Sequence, residues 1–130
     1  MVDKQYYTSY NIVEITKTRK GGESMVFQLG SPLLDACVLA ALRNEDTYGY
    51  VLTQTVREVI DISESTLYPV LRRLQKEDYL TTYDQSFQGR NRRYYSITER
   101  GKVKLEEYAQ DWSSYKSKVD KILLGGMKNE

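Results

Sequence analysis

Ser63-Glu64-Ser65-Thr66-Leu67-Tyr68-Pro69-Val70-Leu71-Arg72-Arg73-Leu74-Gln75-Lys76, followed by Gln85-Ser86-Phe87-Gln88-Gly89-Arg90-Asn91-Arg92-Arg93-Tyr94-Tyr95, decides the reading of this chain. On a helical wheel Leu67, Val70, Leu71 and Leu74 form one stripe, while Ser65, Pro69, Arg72 and Lys76 project from the opposite side. One face packs and the other is left for contact. Ser63 or Ser65 is the expected cap, and Pro69 fits awkwardly because a proline inside a helix loses a hydrogen bond. Further on, alternation predicts strands over 80–85 and 92–97, joined by a turn from Gln88 to Arg93 that carries three arginines and no acid. In these strands Leu80, Tyr83, Tyr95 and Ile97 are expected to close on the helices, with Arg92 and Tyr94 facing out or toward the backbone. Guanidinium groups grip phosphate oxygens with a two-pronged geometry, so a cationic hairpin beside an amphipathic helix points to a nucleic-acid backbone.

Working outward, the chain of 130 residues holds one domain with a modest core; 40% of it is hydrophobic and 28% charged. A net charge of +1 means that any affinity for nucleic acid comes from local placement of Lys and Arg. Histidine is absent, which removes the commonest general base and metal ligand. There is no phosphate-binding glycine loop, cysteine pair or nucleophile elbow, and Glu77-Asp78 and Glu106-Glu107 diverge on a helix. An enzyme, a metal site and a cofactor are therefore not expected. The single cysteine, Cys37, reads as a small core residue, and the longest apolar run is too short to span a bilayer. The expected setting is soluble and cytoplasmic.

Before the reader segment, Ser31 is the expected N-cap and Pro32 the first residue of an apolar helix to about Leu42. Thr47 is expected to cap a second helix to about Ile60, with Val51, Leu52, Val56, Val59 and Ile60 buried and Gly49 weakening its first turn. A tight turn at Asp61-Ile62 leads into the third. After the hairpin, Thr98 caps a long helix to about Leu124, stopped by Gly125-Gly126. Leu105, Tyr108, Trp112, Tyr115, Val119 and Ile122 recur in it at alternating spacings of three and four, a heptad seam that wants a partner, and two protomers packing through it is the favoured arrangement. The fold class expected is mainly α with a small β-hairpin: a winged helix-turn-helix over 25–98, a dimerisation helix over 99–124 and a tail over 125–130. Residues 1–24 read as an appendage. Either Met25 is the biological start, or the segment is an arm that touches DNA through Lys17, Arg19 and Lys20.

The segment Leu33 to Gly49, the run Ser65 to Leu74 and the run Gly89-Arg90-Asn91-Arg92-Arg93-Tyr94-Tyr95-Ser96-Ile97-Thr98-Glu99-Arg100-Gly101 resemble the PadR family of bacterial transcriptional regulators, and the match covers about Leu29 to Leu123. It has the shape of the short subclass, which ends in a single dimerising helix. The resemblance implies a homodimeric winged-helix repressor whose third helix and wing bind a palindromic operator. Residues 1–24 have no counterpart in it. Trp112-Ser113 and Val119-Asp120-Lys121-Ile122 also look like the multidrug-sensing members, in which a tryptophan from each subunit lines an apolar pore and stacks on flat ligands.

Residue by residue, Ser65, Thr66 and Tyr68 are expected near bases or phosphates, with Arg72 and Lys76 supplying charge. Arg90, Asn91, Arg92 and Arg93 are placed on the backbone or in a minor groove, against the alternative of an ordinary solvated turn. Thr47 and Tyr48 either offer backbone N–H groups to a phosphate or simply cap a helix. Arg73 is read as a helical-spacing partner of Glu77. A planar aromatic effector, if there is one, would meet Trp112, with Asp111, Ser113 and Tyr115 to orient it; a tryptophan in a seam is otherwise core. The other function class considered is a winged-helix interaction module without sequence-specific DNA binding.

Overall fold

The computed structural model describes residues 30–125; the expectations for 1–24 and for Gly126 onward lie outside them. In chain order the elements are α1 (Ser31–Ala41), β1 (Thr47–Tyr48), α2 (Gly49–Arg57), α3 (Glu64–Lys76), β2 (Leu80–Phe87), β3 (Arg90–Ile97) and α4 (Glu99–Leu123). Three helices, a wing and a long final helix follow in the expected order. The core is one cluster in which Val38, Leu39 and Leu42 of α1 and its cap meet Leu52 and Val56 of α2, the four stripe residues of α3, and Leu80. Leu105 closes it from α4.

Several boundaries differ from the sequence reading. Gly30, in extended conformation, is the N-cap of α1, so Ser31 is already helical. Thr47 does not cap α2: with Tyr48 it forms a short strand on β3, pairing Thr47 with Tyr95 and Tyr48 with Tyr94. A two-residue strand lacks the alternation that would reveal it, and the sheet order β1-β3-β2 makes β3 central. α2 ends at Arg57, where the N–H groups of Val59 and Ile60 both fold back to the Val56 carbonyl. Val51 and Val59 consequently lie exposed and leave Leu52 and Val56 as the buried pair.

α3 is capped by Ser63, whose hydroxyl accepts the Thr66 N–H at 3.3 Å. Pro69 lies inside the helix on its exposed side, where the Ser65 carbonyl it deprives of a donor is open to water. The helix ends in a Schellman motif: the Asp78 N–H reaches the Gln75 carbonyl, the Tyr79 N–H reaches the Leu74 carbonyl, and Asp78 takes a left-handed φ of 68°. α4 starts on this turn. Thr98 donates its N–H to the Tyr79 carbonyl and its hydroxyl to the Asp78 carbonyl, while its Oγ1 caps Gly101.

The wing is longer than the alternation suggested, because β2 and β3 run up to a two-residue turn, Gln88-Gly89. Both turn residues have positive φ, 53° and 80°, the mirror-image turn whose twist matches that of the strands. Arg90 and Asn91 therefore join Arg92 and Arg93 in β3. The register pairs Tyr83 with Tyr94 and Thr82 with Tyr95, so Tyr83 and Tyr95 lie on opposite faces. Tyr95 packs on the core with Ile97, whereas Tyr83 stacks on Tyr94 at 5.5 Å on the outer face and donates its hydroxyl to Asp46 at 2.7 Å. The long final helix is also divided. Leu105 belongs to the chain's own core and Tyr108 is half-buried beside it, so neither is an open seam position, while Trp112, Tyr115 and Ile122 are exposed, the last at 83%.

Candidate nucleic-acid interface

Burial of Leu67, Val70, Leu71 and Leu74 turns Ser65, Tyr68, Arg72 and Lys76 of α3 outward. Tyr68 sits at the junction of three elements: its hydroxyl comes within 3.5 Å of where a Cβ on Gly49 would stand, with the Tyr95 ring beside it. Burial and the nearby Tyr68 push the Tyr95 hydroxyl up, while Arg93 and Arg72 pull it down. Those two arginines, one from the wing and one from α3, thus share a neighbourhood that sequence separation hides. None of the ion pairs among the described residues includes Arg72, Lys76, Arg90 or Arg92. Cationic groups left without acids suit a polyanion.

The other sequence-read positions sort by their partners. The Thr66 hydroxyl is tied into the cap against Ser63 Oγ at 3.1 Å and is half-buried, so it is a structural group before it is a contact. Ser65 Oγ lies 3.0 Å from the same oxygen but is exposed. Thr47 is half-buried in β1, and the N-cap Tyr48 gives no side-chain oxygen to the start of α2. On the wing Arg90 and Asn91 are exposed, and Arg93 is paired with Asp84 at 3.3 Å. Arg92 is not simply outward; its guanidinium lies 4.2 Å from the centre of the Tyr48 ring and 4.5 Å from that of Phe87.

A family model described as the transcriptional regulator PadR-like family matches residues 38–107, just over half of the chain and the whole of this surface. This chain belongs to the PadR-like family. A PadR family transcription regulator of Clostridium difficile has a solved structure that is 30% identical, with a TM-score of 0.66 over 72% of this chain and 99% of that one. A PadR-like regulator of Bacillus cereus is 33% identical, with a TM-score of 0.66 over 70% and 91%. A Streptococcus mutans protein reaches 39% identity and a TM-score of 0.73 over 82% and 100%. The protein is thus a PadR-like transcriptional regulator of winged-helix fold, mainly α with a small sheet. No described helix of this regulator is long and apolar enough to cross a membrane.

Two further features of this PadR-like chain involve α1 and α4. Asp111, Trp112 and Tyr115 of α4 do come together, lining a groove of about 440 Å³ with Pro32, Leu33 and Ala36 of α1 and Tyr108. The second feature was hidden in the sequence: Asp35, apolar-flanked on α1 and 5% exposed, binds Arg73 of α3 at 2.6 Å and accepts the Tyr108 hydroxyl at 3.4 Å. Glu77, the partner read from helical spacing, is a distant second at 3.9 Å. Burial pushes the Asp35 carboxyl up against the opposing pull of Arg73. Burial and the Asp35 charge also push the Tyr108 hydroxyl up to about 12. A group held protonated by the fold contributes stability below its unfolded value near 10, and that contribution is lost as pH rises toward 12. Urea titrations between about pH 9 and 11.5 should accordingly show stability falling with pH, and less steeply in Tyr108→Phe; equal slopes would place the tyrosine in water in both states.

Proposed function

We propose that this regulator is a homodimeric repressor that binds a palindromic operator through α3 and the wing. The observation that carries the reading is the two-sidedness of α3: four apolar residues are sealed in the core while Ser65, Tyr68, Arg72 and Lys76 face outward, with Arg93 of the wing sharing the neighbourhood of Arg72 at Tyr95. A helix of this diameter fits a major groove about 12 Å wide. Ser65 and Tyr68 approach bases or phosphates, Arg72 and Lys76 add charge, and Arg90, Asn91, Arg92 and Arg93 reach the flanking backbone. Thr47, Tyr48 and Thr66 stand behind these as supporting groups. The exposed Trp112, Tyr115 and Ile122, with the half-buried Val119, support pairing with a second copy through the distal half of α4, which sets two reader helices about one turn of DNA apart. The groove beside Trp112 supports release by a flat aromatic effector, which acts if it favours one spacing of the dimer over another. A cytoplasmic setting follows from that role.

Anisotropy titrations of labelled duplexes at several salt concentrations test the reading. Affinity is expected to fall steeply with salt, Lys76→Ala is expected to lower the log–log slope by about 0.9, and Arg72→Ala to change preference among sequences. Ile122→Glu should yield a monomer in sedimentation and weaken operator binding. Affinity indifferent to salt and to these substitutions would leave a winged-helix interaction module. Trp112 is the single tryptophan, so its emission reports directly on a ligand in the groove.

A further inference from the structure

The three arginines of β3 look equivalent in sequence and are held in three different ways. Arg90, opposite Phe87 at the tip, has neither an acid nor a ring against its guanidinium among the described contacts. Arg93 spends its Nε on Asp84. Arg92 lies on the outer face of the central strand with a ring on either side, Tyr48 from β1 and Phe87 from β2, at 4.2 and 4.5 Å. The two rings are braced in turn. Tyr48 meets Tyr94 edge-on at 5.6 Å, Tyr94 stacks on Tyr83, and Tyr83 is fixed by its hydrogen bond to Asp46. A guanidinium attracted to aromatic rings keeps its N–H edge available while losing rotamer freedom. Arg92, Tyr48 and Tyr94 share the sheet face opposite Tyr95, so the braced arginine is presented on the outer side of the wing.

We propose that Tyr48 and Phe87 are positioning residues that hold Arg92 as a preset minor-groove reader, so that the wing discriminates narrow, A·T-rich grooves from wide ones. The inference rests on the DNA-binding reading above and assigns its shape discrimination to this one arginine. A narrow minor groove concentrates negative potential and rewards an arginine already pointed into it. Ordering an unheld arginine at the moment of binding costs part of that gain. The unbraced Arg90 therefore contributes charge without discrimination, and the acid-paired Arg93 contributes less of either.

The test compares a duplex with a central A-tract and a G·C duplex of equal length, titrated with the full chain. Wild type is expected to prefer the A-tract. Arg92→Ala and Arg92→Lys should abolish the preference, whereas Arg90→Ala should weaken both duplexes equally. Tyr48→Leu and Phe87→Leu should each cut A-tract affinity roughly two- to fivefold, in keeping with the strength of a cation–ring contact. Because they keep the charge of Arg92, their salt dependence should match wild type; Tyr48→Phe and Phe87→Tyr, which retain the ring, should restore A-tract affinity. Thermal melts of all variants separate a loosened wing from a lost clamp. Equal losses on both duplexes in the leucine variants, or no rescue by the ring-retaining ones, overturn the clamp and leave the DNA-binding reading standing. Absence of wild-type binding to either duplex overturns both.

Discussion

Gly101→Ala is expected to destabilise the folded chain by roughly 3 kcal/mol, the upper end of what forcing atoms into a packed site costs. A Cβ on Gly101 would run into the Tyr79 carbonyl oxygen and stand 2.8 Å from Ile97 Cγ1. The carbonyl cannot swing away without loss, since it accepts the Thr98 N–H while the N–H of the same residue closes the end of α3 on Leu74. Arg100 adds to the joint by donating Nε to the Glu77 carbonyl at 3.1 Å. Making room therefore means moving the first turn of α4 off the end of α3. Urea denaturation of Gly101→Ala beside Lys102→Ala, an exposed neighbour expected within about 0.5 kcal/mol of wild type, measures the effect. A loss under about 1 kcal/mol would mean that α4 shifts on this turn at little cost. The joint fixes the angle between α3 and α4, so on the proposed function it also sets how the outward face of α3 stands relative to the exposed far half of α4.

Arg73→Ala should cost about 2–3 kcal/mol at neutral pH, because it strands a carboxylate in the core. Asp35 is 5% exposed and would keep only the 3.4 Å bond from Tyr108. The cost sits at the lower end for a broken buried pair, since the Arg73 side chain is 42% exposed and part of the interaction is already screened. Its pH dependence has a definite sign. Burial raises the folded carboxyl above its usual 3.8, so the folded state holds a proton where the unfolded state has lost it, and stability falls as pH climbs through that window. Removing Arg73 raises the carboxyl further, which makes the deficit largest near neutrality and smaller toward about pH 4. Combining Arg73→Ala with Asp35→Leu should recover most of the loss, because an apolar replacement carries no buried charge. Failure to recover would show that the carboxylate is needed for its bond to Tyr108 more than for its pairing.

The wing illustrates how far pattern reading goes. Alternation located both strands and the cationic tip, because the strand period of two is written in residue types. It could not register the two extra pairs, Ser86 with Asn91 and Phe87 with Arg90, and so left Arg90 and Asn91 in the turn. Tyr83 is expected in the core only against the strand's own parity: it stands three residues from the buried Leu80, and alternation turns it to the opposite face. Asp35 escaped notice altogether, since an acid in an apolar helix looks like an exposed interruption until Arg73 and Tyr108 arrive from two distant segments.

Sequence by itself determined the order of helices α1 to α4 and the wing, the stripe that buries one side of α3 and the cap at Thr98, because these rest on interactions between residues a few positions apart, and its motifs carried the resemblance to a regulator family. Tertiary structure alone decided which of the wing arginines is free, paired or held against rings. It also decided that Thr47 and Tyr48 form a strand, and that Leu105 serves its own core while Trp112, Tyr115 and Ile122 remain outside. The physical reason is common to all of them. A side chain's partners across strands and between helices are set by register and close packing, and those are properties of the folded whole.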